Sequence, residues 1–322
     1  MTSGLRLAAA LTVAAVLVAG GCGDDGSDSD EALSGATLVG GGGDVAPADL
    51  VDGADAGLTD LDLSQASHVL ADGDGGLWIL VAGDPQGAAL LRVRDREITD
   101  ARSLDTEGGA EPFGGFPTER AAATPDGRVV LARFAGDDLW VVGIDGAEDR
   151  HIDATFSLGD VAVADDGTIL VADQQAAEVV GYTSDDTAID VVGTAPNATI
   201  RLDEPLDIPV SLAAPADDTV AVVTDSTGVR TLRLFGPGFD GEGLLVGEED
   251  DALGSVTATE DGRILVVQPG ERVTLIDPAQ PDEPRTVLDG DGESLTSVAA
   301  VGEDLYALTG DRLWTVEGAL GG

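Results

Sequence analysis

Lysine is absent from this chain, cysteine occurs once, histidine twice, and aromatic residues make up only 3% of the 322 positions. Each scarcity closes a route. Without lysine, all sixteen basic residues are arginine, set against 61 acidic residues for a formal charge of −45. A chain this negative repels nucleic acid backbones and anionic lipid surfaces, and it has neither an arginine-rich patch nor base-stacking aromatics. No nucleic acid partner is expected. The lone Cys22 leaves no internal disulfide and no partner for a thiol mechanism or a metal site. His68 and His151 fall on different strands of the pattern below and do not form the clustered set that zinc needs. No Gly-x-Ser-x-Gly occurs, and Gly40 to Gly43 is not followed by the Lys-Ser or Lys-Thr of a phosphate loop.

The apolar stretch from Leu7 to Ala19 is thirteen residues long, short of the roughly twenty that cross a bilayer as a helix. With Arg6 before it, its length and position fit a secretory signal. It ends Val18-Ala19-Gly20-Gly21-Cys22, which resembles a bacterial lipobox, with Ala19 where leucine is usual. That resemblance implies a signal peptide over 1–21 and lipid on Cys22. Residues 22–34 are acidic and rich in glycine and serine, the composition of a flexible tether. The expected location is the cell membrane, lipid-anchored and facing outside the cytoplasm. The Ala, Val, Asp and Arg bias, taken with the lipobox, resembles actinobacterial proteins.

What the chain does have is a repeat. Six times between residues 66 and 318 an apolar stretch, a tight acidic or glycine turn and a second apolar stretch follow one another. The first stretches start at Val69, Ala121, Val161, Leu212, Val256 and Val298. The second start at Leu77, Val129, Ile169, Val220, Ile264 and Leu305, eight residues later in five units and seven in the last. Asp-Gly between them supplies the positive φ of a tight hairpin. Runs that are apolar throughout predict strands covered on both faces. A third strand follows in every unit and a fourth in most, including Ile98, Ile152 and Leu244 to Val246. Four antiparallel strands recurring every 40 to 50 residues predict an all-β, six-bladed propeller over 35–318. The last unit lacks its fourth strand, and Gly35 to Gly40 matches the missing pattern. The amino-terminal strand should therefore join the last blade and close the ring. With so few aromatics, packing must rest on Val, Leu, Ile and Ala.

Leu158 to Asp173 reads Leu-Gly-Asp-Val-Ala-Val-Ala-Asp-Asp-Gly-Thr-Ile-Leu-Val-Ala-Asp and resembles the NHL repeat. Val191-Val-Gly-Thr with Arg201 to Pro209 resembles the connection between NHL blades. Gln174-Gln175 replaces the family's usual asparagine-rich turn.

By resemblance to propellers generally, ligands bind on the face that carries the fourth-to-first and second-to-third connections. Here the first-to-second turns are short and uniform, whereas fourth-to-first connections are long and unlike one another, which places binding on the long-loop face. His68, Arg120, Arg133, Asp160, Asp173, Asp225 and Gln268 should approach that rim. Asp173 and Asp225 follow second strands and also suit turn capping. The function this predicts is a non-catalytic binding or sensing propeller, monomeric and cofactor-free, held at the membrane through Cys22, with a protein, glycan or small molecule as ligand. The alternative is a hydrolase or lactonase assisted by calcium or another divalent metal, with Asp160, Asp173 and Asp225 at the channel mouth.

Overall fold

The computed structural model describes residues 33, 35–51, 56–81, 88–104, 120–132, 138–144, 149–153, 157–216, 218–237, 244–250, 253–268, 272–281, 283–290 and 293–321. Cys22 and Arg133 lie outside these residues, as do the signal and most of the tether.

The described chain forms six small antiparallel sheets, each ordered first strand to fourth. Blade 1 comprises Ala66–Ala71, Leu77–Val81, Ala89–Arg94 and Glu97–Ser103. Blade 2 comprises Arg120–Ala123, Val129–Ala132, Asp138–Val142 and Arg150–Asp153. Blade 3 comprises Leu158–Val163, Ile169–Asp173, Glu178–Tyr182 and Ala188–Gly193. Blade 4 comprises Ile208–Ala216, Thr219–Ser226, Val229–Phe235 and Leu244–Asp250. Blade 5 comprises Val256–Ala258, Ile264–Gln268, Arg272–Ile276 and Arg285–Asp289. Blade 6 comprises Leu295–Val301, Asp304–Thr309 and Arg312–Val316, completed by Thr37–Gly41 from the start of the propeller. First strands of successive blades are neighbours all the way round, and that of blade 6 meets that of blade 1. The chain is a six-bladed β-propeller.

The hairpins form where the turn residues allow a positive φ. Gly73, Gly127, Gly167, Gly262 and Gly302 have φ between +59° and +84°, and in blade 4 Asp218 takes that position at +61°. Two of these turns share a lock. In Thr124-Pro-Asp-Gly-Arg128 the Thr124 hydroxyl donates to Asp126 Oδ1 at 2.5 Å and accepts the Arg128 amide at 2.9 Å. Thr259-Glu-Asp-Gly-Arg263 repeats both contacts at 2.5 and 3.0 Å. In each, the arginine pairs with the turn aspartate at 2.6 Å.

The second strands of blades 1, 2, 3 and 5 are buried at every residue. Their two faces pack on different neighbours, so the apolar core is a set of clusters between consecutive blades. Trp78, Leu80 and Leu90 of blade 1 meet Val129 and Leu131 of blade 2, for example. Leu170 and Val192 of blade 3 meet Val222 and Phe235 of blade 4.

Ring closure needs one close approach. Thr37 pairs with Thr315, Leu38 with Trp314 and Gly41 with Arg312. Gly41 has φ +85°, and a Cβ there would lie 2.0 Å from the Asp311 carbonyl oxygen. Three features lie outside the repeat pattern. A helix, Pro47–Val51, and a 3-10 turn, Leu58–Asp60, join the closing strand to blade 1. Blade 3 has a fifth strand, Ile200–Arg201, parallel to its fourth, formed by the segment that resembles a blade connection. All three arise in connections, where no apolar period marks an element in the sequence.

Candidate functional site

The six first strands surround an axial channel of about 760 Å³. Its wall is mostly small: Ala121, Ala122, Ala123, Ala162, Ala213, Ala258 and Ala299 line it. One mouth, on the long-loop face, carries His68, Arg120, Gln174 and Arg230. The other, at the hairpin turns, carries Asp165 and Glu260.

One polar residue from each blade follows a rule at this mouth, apart from Gln174 and Arg230. Each sits immediately before the residue that starts a first-strand apolar stretch: His68, Arg120, Asp160, Ser211, Ser255 and Ser297. In blades 1, 3, 4 and 6 the pairing register slips by one residue just before or at this position. Such bulges turn a side chain out of the regular alternation. A first strand is also the inner edge of its sheet, so alternate amides lack a ladder partner and must be satisfied otherwise.

Side chains at this level satisfy them across blade boundaries. Asp160 Oδ2 of blade 3 accepts the Ser211 hydroxyl at 2.6 Å and the Leu212 amide of blade 4 at 2.9 Å. Ser211 Oγ in turn accepts the Val256 amide of blade 5 at 3.0 Å. Ser297 Oγ of blade 6 accepts the Val69 amide of blade 1 at 3.1 Å and donates to the Val69 carbonyl at 3.3 Å. Arg120 Nε of blade 2 donates to the Gly159 carbonyl of blade 3 at 2.9 Å and lies 3.5 Å from Asp160 Oδ1. The blade 3 amide, Val161 N, is held by Asp160 Oδ1 at 2.9 Å. Among the described residues, the equivalent amides of Ala121 and Val298 have no side-chain acceptor.

Electrostatics at this level are set by enclosure. Burial pushes the Asp160 carboxyl above its ordinary range, against the Arg120 charge and its three hydrogen-bond donors, which pull it down. Burial in the wall, and then the Arg120 charge, push the His68 imidazole down to about 4, so it is neutral at pH 7. Its Nδ1 lies 3.0 Å from Ser67 Oγ.

Of the residues expected at the rim, the structure brings His68, Arg120 and Asp160 together on the channel wall. Asp173, Asp225 and Gln268 stand one strand further from the axis. Asp173 Oδ1 accepts the amides of Ser157, Gln175 and Ala176 at 3.2, 2.9 and 3.0 Å, a turn cap. Asp225 accepts the Gly228 amide at 2.9 Å and pairs with Arg230 at 3.4 Å. Gln268 is buried and accepts a hydrogen bond from Arg272. Arg133 is outside the described residues. The three carboxylates named for a metal centre are thus engaged separately, and among the described residues no three His, Cys, Asp or Glu side chains gather in a metal-holding group. Ser211, Ser255 and Ser297 were not singled out from the sequence. Their signal was there, in the fixed offset that His68, Arg120 and Asp160 share.

No protein-family model and no curated protein matches the chain. Solved structures do. A gluconolactonase from Xanthomonas campestris is similar over 79% of this chain and 86% of that one, at 16% identity and a TM-score of 0.53. The PQQ-bound aldose sugar dehydrogenase of Streptomyces coelicolor is similar over 78% and 93%, at 15% identity and a TM-score of 0.54. A chain of the nidogen/laminin complex is similar over 69% and 82%, at 14% identity and a TM-score of 0.51. Identities this low carry the fold alone. One fold here serves two enzymes and a member of a protein complex, so it does not choose between catalysis and binding.

Proposed function

We propose that this chain is a binding or sensing propeller that takes a small polar ligand into the axial channel from the long-loop mouth. One observation carries the reading: a channel of about 760 Å³ whose mouth is ringed by polar groups at one repeat position. That volume suits a small organic molecule. The ring is closed by its own hydrogen bonds over part of its circumference and open elsewhere. At the open part the inward amides of Ala121 and Val298, the neutral His68 ring and the Ser255 hydroxyl supply uncharged donors and acceptors. Such a set orients a ligand. Among the described residues, no carboxylate pair at this mouth is disposed for acid–base work.

We further propose a lipid anchor, which the lipobox-like residues before Cys22 support. Cys22 carries lipid, residues 23–32 link it to the propeller, and the protein works outside the cytoplasm as a membrane-anchored lipoprotein. The repeat residues around Leu158 to Asp173 support an NHL-like subtype of propeller.

The channel reading is tested by thermal melting against a panel of monosaccharides, sugar acids and amino acids. At least one solute should raise the melting temperature of the wild type, and Ala122→Trp, which fills the lumen, should abolish that rise. A rise that survives Ala122→Trp, or no rise with any of them, would refute the channel as the site. Cys22→Ser should move the protein from the membrane fraction to the soluble one. Unchanged fractionation would refute the anchor.

A further inference from the structure

The closing strand runs in one direction, and that direction has a consequence for presentation. The third strand of blade 6 starts at Arg312, after the second-to-third turn on the long-loop face, and ends at Val316 on the hairpin face. Because Thr37 pairs with Thr315 and Gly41 with Arg312, the chain enters the propeller at the hairpin face. It stays there upstream. The Ala36 amide donates to the Leu33 carbonyl at 3.0 Å, and Leu33, 1% exposed, packs in the cluster between blades 5 and 6 with Trp314 and Leu320. Leu320 is itself held at that face. Its amide donates to Glu303 of the blade 6 hairpin turn at 2.9 Å, and its carbonyl accepts Arg263 from the blade 5 turn at 2.7 Å. Leu33 is therefore pinned at the hairpin end of the boundary between blades 5 and 6.

We propose that the propeller hangs from the membrane by its hairpin face and presents the His68–Arg120 mouth outward, to solutes of the medium or the cell wall and not to bilayer lipid. This rests on the lipid on Cys22 proposed above. Reach sets the bias. The eleven Cα-to-Cα steps from Cys22 to Leu33 span at most about 40 Å, whatever their conformation. To lay the mouth on the bilayer, that segment would first run up the outer edge of blade 6, roughly 15–20 Å at strand rise. Nearly half the maximal reach would go into the detour, and a chain so extended has few conformations. Charge does not reverse the preference. Both faces belong to a strongly acidic chain, and repulsion from anionic lipid is screened beyond about 8 Å at physiological ionic strength. It sets the stand-off and leaves the choice of face to the point of attachment.

The single native cysteine makes the test direct, because a lipidated Cys22 has no thiol left to label. Asp166→Cys, exposed at the blade 3 hairpin turn, and Ala176→Cys, exposed at the blade 3 second-to-third turn, place a fluorophore on opposite faces of one blade. The full-length lipidated protein is put into phosphatidylcholine/phosphatidylglycerol vesicles that carry a headgroup acceptor dye. Energy transfer should be at least twofold greater from position 166 than from position 176. Equal transfer, or greater transfer from 176, would overturn the orientation while leaving the anchor intact. Labelling of the wild type at Cys22 itself, with no transfer from either site, would overturn the lipid reading and this inference with it.

Discussion

Asp160 and Ser211 stand on adjacent blades at the same repeat position, joined by a hydrogen bond of 2.6 Å, and the Ser211 oxygen passes the link on to the Val256 amide of the next blade. Three sheets that share no backbone ladder are thus tied by side chains at the mouth of the channel. The inner edges of the blades explain why these residues are polar: an amide that faces the axis has no strand to pair with. The ring therefore has a structural duty before any functional one. Where that duty is discharged, at Asp160, Ser211 and Ser297, the side chain is committed. Where it is not, ligand contacts remain open.

Asp160→Ala should destabilise the propeller by about 2–4 kcal/mol, because the Ser211 hydroxyl and the Leu212 and Val161 amides lose a buried acceptor together. Asp160→Asn keeps an acceptor but adds a donor facing other donors, and should recover less than half of that loss. Urea unfolding measures both. An alanine variant within about 0.5 kcal/mol of wild type would show that the link contributes little.

The serines of the ring offer an internal comparison. Ser297 holds the amide and the carbonyl of Val69, whereas the exposed Ser255 hydroxyl makes no hydrogen bond among the described residues. Ser297→Ala should cost about 1–2 kcal/mol and Ser255→Ala less than about 0.5 kcal/mol. Equal costs would mean that position in the repeat, and not the cross-blade bond, decides.

His68 predicts a pH dependence of definite sign. Its folded pKa is about 4 against an ordinary 6.5, so between those values the unfolded chain binds a proton that the folded one does not. Stability from His68 is complete above about pH 6.5 and is lost as pH falls towards 4. The shift corresponds to about 3 kcal/mol at most, and access from the lumen reduces it. Carboxylates titrate in the same range, so the quantity to measure is the wild type minus His68→Gln difference in unfolding free energy at pH 7 and at pH 4.5. The wild type should lose its advantage by at least about 1 kcal/mol on acidification; a constant difference would contradict the neutral, enclosed ring.

The architecture was legible in the sequence because each hairpin is a local event. Eight-residue spacing, an Asp-Gly turn and fully apolar second strands report on contacts made within a blade or against its neighbour. Closure by residues 35–40 was legible for the same reason, as a fourth-strand pattern with no blade of its own. The division of labour within the ring was not. His68, Arg120 and Asp160 stand out as charged or titratable, while Ser211 and Ser297 look ordinary until the inner-edge amides they serve are seen. Asp173, Asp225 and Gln268 failed to reach the channel because strand order places them one layer outward, and a sequence shows the end of a strand more readily than its distance from an axis.

Gly41 and Gly42 separate strain from collision. Both have positive φ, +85° and +80°, but a Cβ at Gly41 meets the Asp311 carbonyl at 2.0 Å and one at Gly42 meets nothing within 4 Å. Gly42→Ala should cost about 1–2 kcal/mol, the price of the left-handed backbone alone. Gly41→Ala must also push the closing strand off Arg312, and should cost at least about 2 kcal/mol more and open blade 6 to hydrogen exchange first. Equal effects would place ring closure elsewhere.

Salt should stabilise this protein, and the form of the response identifies the cause. A formal charge of −45 makes the compact state repel itself. In about 0.01 M salt the screening length is roughly 30 Å, longer than the spacing between neighbouring blades; at 1 M it is roughly 3 Å. The melting temperature should therefore rise by several degrees between these limits in NaCl, with most of the gain complete by a few hundred millimolar, once screening is shorter than the distance between surface carboxylates. A flat response would mean that arginine pairs such as Arg128–Asp126 and Arg263–Asp261 already neutralise the repulsion locally. A gain that stays linear up to molar salt would point instead to strengthened apolar burial, since exclusion of salt from the surface does not saturate as charge screening does.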